Sequence, residues 1–341
     1  MLSSEESVVN MSALIIDATR AEDGKLVALK RISKMNFPFE LELGTFFSSS
    51  PLSDDPRNHC VPIYEVLQSP HDPDVQFIVM PRLREAHTPS FDTVGEFADA
   101  FQQIFEGIEF MHEHFVAHKD INILNVMLDA TKLFPKGFHP FHHSLNTKHN
   151  DIATHITRTQ CWPRYYIIDF GYYRRYDPNK LPFDDIVAAG DRSAPELRRL
   201  RDDPSAKLNP FSFDVYCVGN MMREDYNIEC CPGLHFLLPL VDDMTQDKPS
   251  LRPTMREALT RFVGLCNSLS MSQLRAPPYD AGFGQRWRRL KYAVTGVAPL
   301  SVRKFSEPVM VSDSRLRSFY TQTPGNVGVV TDRYVGCICT L

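Results

Sequence analysis

No uninterrupted apolar run in this 341-residue chain approaches the ~18 residues of a membrane-crossing helix, so no membrane span is expected. The eight cysteines include the neighbours Cys230-Cys231 and the triplet Cys337-Ile338-Cys339 but no CxxC spacing, and nothing at the N-terminus resembles a signal peptide. Reduced thiols in an intracellular protein, cytoplasmic or nuclear, are the expectation. The final Ile338-Cys339-Thr340-Leu341 places its Cys wrongly for prenylation. No internal repeat is visible, and no nucleic-acid partner is expected. What remains is a chain with 43% hydrophobic and 11% aromatic residues, long enough to bury a substantial core.

The strongest signals are polar. His118-Lys119-Asp120-Ile121-Asn122-Ile123-Leu124-Asn125 is followed by Asp169-Phe170-Gly171 and then by Ala194-Pro195-Glu196. In order and type these match HRDxxxxN, DFG and APE, and the chain thereby resembles the eukaryotic-type protein-kinase superfamily. The resemblance implies an α+β, bilobal protein-kinase-like fold with a small β-rich N-lobe and a larger, mainly helical C-lobe. It also implies a role for each residue. Asp120 would orient the acceptor hydroxyl and take its proton, while Asn125 and Asp169 would hold Mg²⁺, a hard cation that prefers oxygen ligands.

Leu26-Val27-Ala28-Leu29-Lys30 is similar to the VAIK strand, whose Lys contacts the ATP α- and β-phosphates. Its usual partner is a Glu on the next helix. Glu40 is favoured because Leu43 and Phe47 then share its helical face, with Glu42 left open as the other candidate. Phe77-Ile78-Val79-Met80-Pro81-Arg82-Leu83 resembles the strand entering the hinge, with Met80 as gatekeeper. Pro81 keeps its carbonyl and Leu83 would supply the N–H for adenine. Ile15, Ala28 and Met127 would wall the base.

The C-terminal half carries structural parts of the same pattern. Thr93-Val94-Gly95-Glu96 reads as a capping box, and Phe97, Phe101, Ile104, Phe105, Ile108, Met111 and Phe115 recur at helical spacing. By the resemblance, Asp214 braces the catalytic loop, and Arg252 of Leu251-Arg252-Pro253-Thr254 pairs with Glu196.

Several positions depart from the family. Val8, Asn10 and Ala13 stand where three phosphate-covering glycines belong, and a β-branched Val does not easily allow close backbone approach to phosphate. Asn122 and Leu124 replace the cations that announce Ser/Thr or Tyr kinases. Lys119 replaces Arg, keeping charge but losing the planar fork. No Thr lies between Asp169 and Glu196, where Ser193, Tyr172, Tyr173 and Tyr176 are the only hydroxyls. Asp214 and Arg252 are only 38 positions apart, shorter than the family's usual stretch, which suggests limited docking of protein substrates.

Asn125 and Asp169 are 44 positions apart, which implies an insertion at about 130–162. Its Gly137-Phe138-His139-Pro140, with the DPRNHCVP run from Asp55 to Pro62, resembles kinase-like proteins of basidiomycete fungi. His139, His142, His143, His149 and His155 crowd this segment, but no Cys or carboxylate completes a zinc spacing, so a polar, solvated loop is expected.

The organisation expected is an N-lobe over 1–83, a C-lobe over 84–270 and a basic, partly disordered tail over 271–341. That tail holds ten Lys or Arg against four Asp or Glu. Within it, Arg286-Trp287-Arg288-Arg289-Leu290-Lys291 reads as a solvated patch. The function expected is transfer of the ATP γ-phosphoryl to a Ser or Thr hydroxyl of a protein substrate, with ATP and Mg²⁺ bound. The alternative is a pseudokinase that binds nucleotide or acts as a scaffold. A small-molecule phosphotransferase is a third reading, disfavoured by APE, the DxYxxG run at Asp214 and the Arg252-Pro253 pair.

Overall fold

The computed structural model describes residues 15–139, 142–180, 182–183, 185, 192–203, 207–279, 328–329 and 334–335. The chain is a mixed α/β protein with a small, largely antiparallel sheet followed by a helical region. Strands β1 (Ile15–Arg20) and β2 (Leu26–Ser33) form a hairpin whose tight turn uses Gly24 at φ +71°, a conformation most side chains resist. Helix α1 (Pro38–Ser48) follows, then β3 (Glu65–Gln68) and β4 (Val75–Pro81). β2 lies between β1 and β4, with Ala28 opposite Met80 and Lys30 opposite both Ile15 and Ile78. β-Branched and aliphatic residues dominate these strands and pack as a small cluster of Ala18, Val27, Leu29, Leu67 and Val79.

The second region is built on α2 (Val94–Glu113). Its Thr93 cap accepts from the Glu96 N–H at 3.0 Å, and Glu96 reaches back to the Asp92 N–H at 2.8 Å, one residue earlier than an ideal capping box. Apolar residues on every side of α2 are buried, as befits a helix through a core. Phe105 stacks on Phe262 of a later helix, Met255–Asn267, at 4.9 Å. Around α2 lie two small ladders: β5 (Arg84–Glu85), β7 (Val126–Leu128) and β8 (Tyr165–Ile167), and β6 (Val116–Ala117) with β9 (Arg174–Arg175).

The Asp55–Pro62 run is a structural seam. Asn58 donates to the carbonyls of Phe47 and Leu52 at 2.8 and 2.9 Å, tying down the end of α1. Cys60 bridges Ile167 in parallel, with the Ile167 N–H on His59 O at 2.7 Å and the Val61 N–H on Ile167 O at 3.0 Å. Through this seam α1 and β8 are fixed relative to each other, and each carries part of the site.

The insertion between β7 and β8 is solvated over 147–152, as expected, but its aromatic start is anchored in the protein. Leu133, Phe134 and Phe138 are buried. The guanidinium of Arg84 lies 4.5 and 4.8 Å from the Phe134 and Phe138 ring centres, and that of Arg82 lies 4.5 Å from Phe138. Arg84 also donates to His143 O at 2.6 Å. The aromatic side chains at the start of the insertion found cationic partners just after β4 and are buried, while its polar stretch stays in solvent.

Residues Met271–Tyr279, the start of the stretch read as a tail, dock on this helical part. The Val94 N–H donates to Ala276 O at 2.8 Å, the Gly233 N–H to Pro278 O at 3.1 Å, and the Tyr279 hydroxyl to Phe91 O at 3.0 Å. Gly328–Val329 pairs parallel to β3 and Tyr334–Val335 antiparallel to β1, at the two edges of the sheet. The rest of 271–341, with the 286–291 basic run, and positions 8, 10 and 13 lie outside the described residues. The six described cysteines are free. No described helix is long and apolar enough to cross a membrane.

Candidate functional site

Lys30 sits on β2, the strand between two antiparallel neighbours, so its backbone is fixed on both sides. Its Nζ donates to Glu40 Oε1 at 2.5 Å and to Asp169 Oδ1 at 2.9 Å. Glu40 is buried with Leu43 and Phe47 along one face of α1, whereas Glu42 is exposed. The helical spacing of the apolar residues therefore decides which carboxylate turns inward. Burial alone would depress the Lys30 ammonium, but the Glu40 and Asp169 carboxylates more than offset it and hold its pKa above the ordinary value. Burial pushes Asp169 upward too, yet Lys30 draws its pKa below the usual carboxylate range.

The loop bearing Asp120 hangs from one fully buried carboxylate. Asp214 accepts from the His118 and Lys119 N–H groups at 2.8 Å each, and His112 Nε2 lies 3.0 Å from it. Lys119 is held at φ +64°, a strained conformation for a residue with a Cβ, directly before Asp120. Asp120 Oδ2 accepts from Asn125 Nδ2 at 3.0 Å, and the same amide donates to the Asp120 carbonyl at 2.8 Å. Asn122 caps the Ile123–Asn125 turn by accepting from the Leu124 N–H at 2.9 Å, and its Nδ2 lies 3.3 Å from Asp120 Oδ1. Burial raises the Asp120 pKa, the amide bonds of Asn125 and Asn122 oppose the rise, and the charge of Asp169 adds to it. If Asp120 serves as a base it must be ionised to accept a proton, so the acid limb of a kcat/KM profile would lie above the ~3.9 of an unperturbed Asp, and a limb at or below it would contradict this environment.

Asn125 and Asp169 lie at adjacent ends of paired strands, with Val126 opposite Ile167 and the Ile168 N–H on Asn125 O at 3.0 Å. Asp169 is at φ +67° and its carboxylate accepts from the Gly171 N–H at 3.3 Å. Phe170 is buried and meets Tyr173 edge-on at 4.5 Å, which fixes the turn from below. Asn125 uses its amide nitrogen on Asp120, which leaves its Oδ1 as an acceptor, and the Asp169 carboxylate is partly open to solvent. Two hard oxygens from neighbouring strands fit Mg²⁺, which usually takes one or two protein oxygens and completes its shell with phosphate and water. Among the described residues no group of three His, Cys, Asp or Glu side chains is assembled as a metal centre, and the crowded histidines are no exception.

Ala28 and Met80 face each other across β2 and β4, and Met127 is opposite Glu85, two residues past Leu83. Ile15, at the start of β1, pairs with Lys30 and is 43% exposed. Ile15, Ala28, Met80, Leu83 and Met127 thus come from strands or strand ends that adjoin Lys30 or Asn125. One ammonium stands among the carboxylates of Glu40, Asp169 and Asp120, so acidic side chains outnumber basic ones here.

No family model and no curated protein matches the chain. The main features that sequence reasoning missed are the clamp of Arg82 and Arg84 on the insertion and the role of Asp185 beside Lys119.

Proposed function

We propose that this chain is a protein kinase of bilobal architecture that transfers the γ-phosphoryl group of ATP to a Ser or Thr hydroxyl of a protein, using Mg²⁺. The observation that carries this reading is the convergence of Lys30, Glu40 and Asp169, brought from a strand, a helix and a turn, beside a loop that presents Asp120 and Asn125. Lys30, oriented by Glu40, donates to the α- and β-phosphates. Asp120, positioned by Asn125, orients the acceptor hydroxyl and takes its proton as the oxygen attacks phosphorus and the bond to ADP breaks. Asp169 and Asn125 would hold Mg²⁺, which neutralises charge on the phosphate oxygens. Ala28, Met80, Leu83, Met127 and Ile15 provide the apolar surface for adenine.

A second reading, a nucleotide-binding pseudokinase, is favoured by one observation. The loop offers no cation to the moving phosphoryl, because Asn122 is used as a cap and Lys119 is turned onto Asp185. Two measurements on the purified chain separate the readings: label transfer from γ-labelled ATP to protein acceptors with phosphoamino-acid analysis, and thermal unfolding with and without Mg²⁺ and ATP. The kinase reading expects label on Ser or Thr together with stabilisation of about 2.7 kcal/mol when ATP is at about 100 times its Kd. Stabilisation without transfer selects the pseudokinase. Neither effect overturns both.

A further inference from the structure

The segment between Asp169 and Glu196 has no Thr, and of its four hydroxyls Tyr172 is exposed while the other three are engaged or enclosed. Ser193 Oγ is 3.0 Å from the Tyr216 hydroxyl and accepts from Asn220 Nδ2 at 3.2 Å, and Tyr173 is buried. The Tyr176 hydroxyl donates to Asp185 Oδ2 at 2.7 Å. The same carboxylate accepts from Lys119 Nζ at 3.0 Å and from Arg174 Nη1 at 2.8 Å. Asp185 is only 8% exposed, and its backbone is held in a two-way bridge with Leu208, at 2.9 and 2.8 Å. Two residues earlier, Phe183 packs among the rings of Phe115, Tyr176 and Phe211.

This places a fixed anion where three parts of the chain meet. Lys119 belongs to the loop of Asp120, Arg174 to β9, and Asp185 to the stretch leading toward Glu196. The Lys119 side chain is only 12% exposed, and an enclosed ammonium is tolerated only with a counter-charge. Its backbone, already at positive φ, directly precedes Asp120, so a change in how the Lys119 side chain is held is transmitted to the Asp120 carboxylate.

We propose that Asp185 is a positioning residue that sets Asp120 through Lys119, and that its permanent carboxylate assembles the site without phosphorylation of this segment. The proposal rests on the kinase reading for its catalytic consequence, while the mechanical lock is independent of it. Asp185→Asn keeps the shape and can still accept from Tyr176, but removes the charge. It is expected to lower kcat by on the order of 10- to 100-fold through misplacement of Asp120, with KM for ATP changed less than about threefold because Lys30, Ala28 and Met80 are untouched. Trypsin should also cleave faster after Arg174 and Arg175. Arg174→Gln, at an exposed position, is a milder companion with the same split between kcat and KM and a kcat loss of about threefold or more. In an Asp185→Asn, Lys119→Met double variant the losses should not add. Phosphatase treatment of the parent should leave kcat unchanged.

An Asp185→Asn enzyme with kcat within about twofold of the parent, or loss of parent activity on dephosphorylation, overturns the proposal. If Asp185→Asn does not fold, Arg174→Gln decides by the same criteria. A parent without any phosphoryl transfer defeats the kinase reading instead, and digestion then decides the lock alone: faster cleavage of the variant sustains it, and equal cleavage overturns it.

Discussion

Replacing Asp120 with Ala is expected to reduce kcat by on the order of 10²- to 10⁴-fold, the range associated with a positioned acid–base group, with little change in ATP binding. The geometry makes the two effects separable. Asp120 has no hydrogen bond to Lys30, Glu40 or Asp169, and its carboxylate bonds are confined to the amides of Asn122 and Asn125. Asn125 keeps the Asp120 carbonyl at 2.8 Å after the side chain is gone, so the loop retains a bond that shapes it. Asp214 also still holds the His118 and Lys119 N–H groups. Stabilisation by ATP with Mg²⁺ should therefore survive in the variant while label transfer is lost. Transfer within about tenfold of the parent would remove Asp120 from the chemistry and leave solvent or a phosphate oxygen as the proton acceptor.

Individual residues show how far the sequence could be read. Helical spacing favoured Glu40 over Glu42, which it left open, because Leu43 and Phe47 share the face of Glu40, and the structure buries Glu40 on that face. The long α2 was equally plain, since a cap followed by apolar residues at helical spacing has few other solutions. The meeting of Lys30 with Asp169, 139 positions apart, was not written in any local pattern and was suggested only by motif order. The polar run of the insertion is solvated as its composition suggested, but its anchoring was missed, because Phe134 and Phe138 reach guanidinium groups that no spacing rule connects to them. Asp185 was invisible for a different reason. Asp184 and Asp185 are chemically identical neighbours in sequence, and nothing local assigns either to Lys119, whereas the tertiary bridge to Leu208 holds Asp185 beside it.

Truncating Arg252 to Ala is expected to destabilise the fold by about 3–5 kcal/mol, the usual effect of stranding one member of a buried ion pair. Arg252 and Glu196 form a two-pronged pair, with Nη1 to Oε1 at 2.6 Å and Nη2 to Oε2 at 2.7 Å, and their side chains are 0% and 1% exposed. Arg252 does more than neutralise a charge. It donates to Gln246 O at 2.8 Å and Ser212 O at 3.1 Å, and its guanidinium lies 4.7 Å from the Tyr216 ring centre. Arg252→Ala therefore leaves a buried carboxylate and deprives two carbonyls, whereas Glu196→Ala leaves a guanidinium that still has both carbonyls and a ring face. The Arg252 variant should be the less stable of the two in urea unfolding at neutral pH. A double variant, Arg252→Met with Glu196→Leu, should lose much less than the sum of the single losses, since no uncompensated charge remains. Because Glu196 lies in the first turn of the helix Pro195–Asp202, loss of the pair should also free the segment that carries Asp185. Equal, additive losses below about 1 kcal/mol each would mean that the pair contributes no more than an exposed one, and that something else anchors this helix.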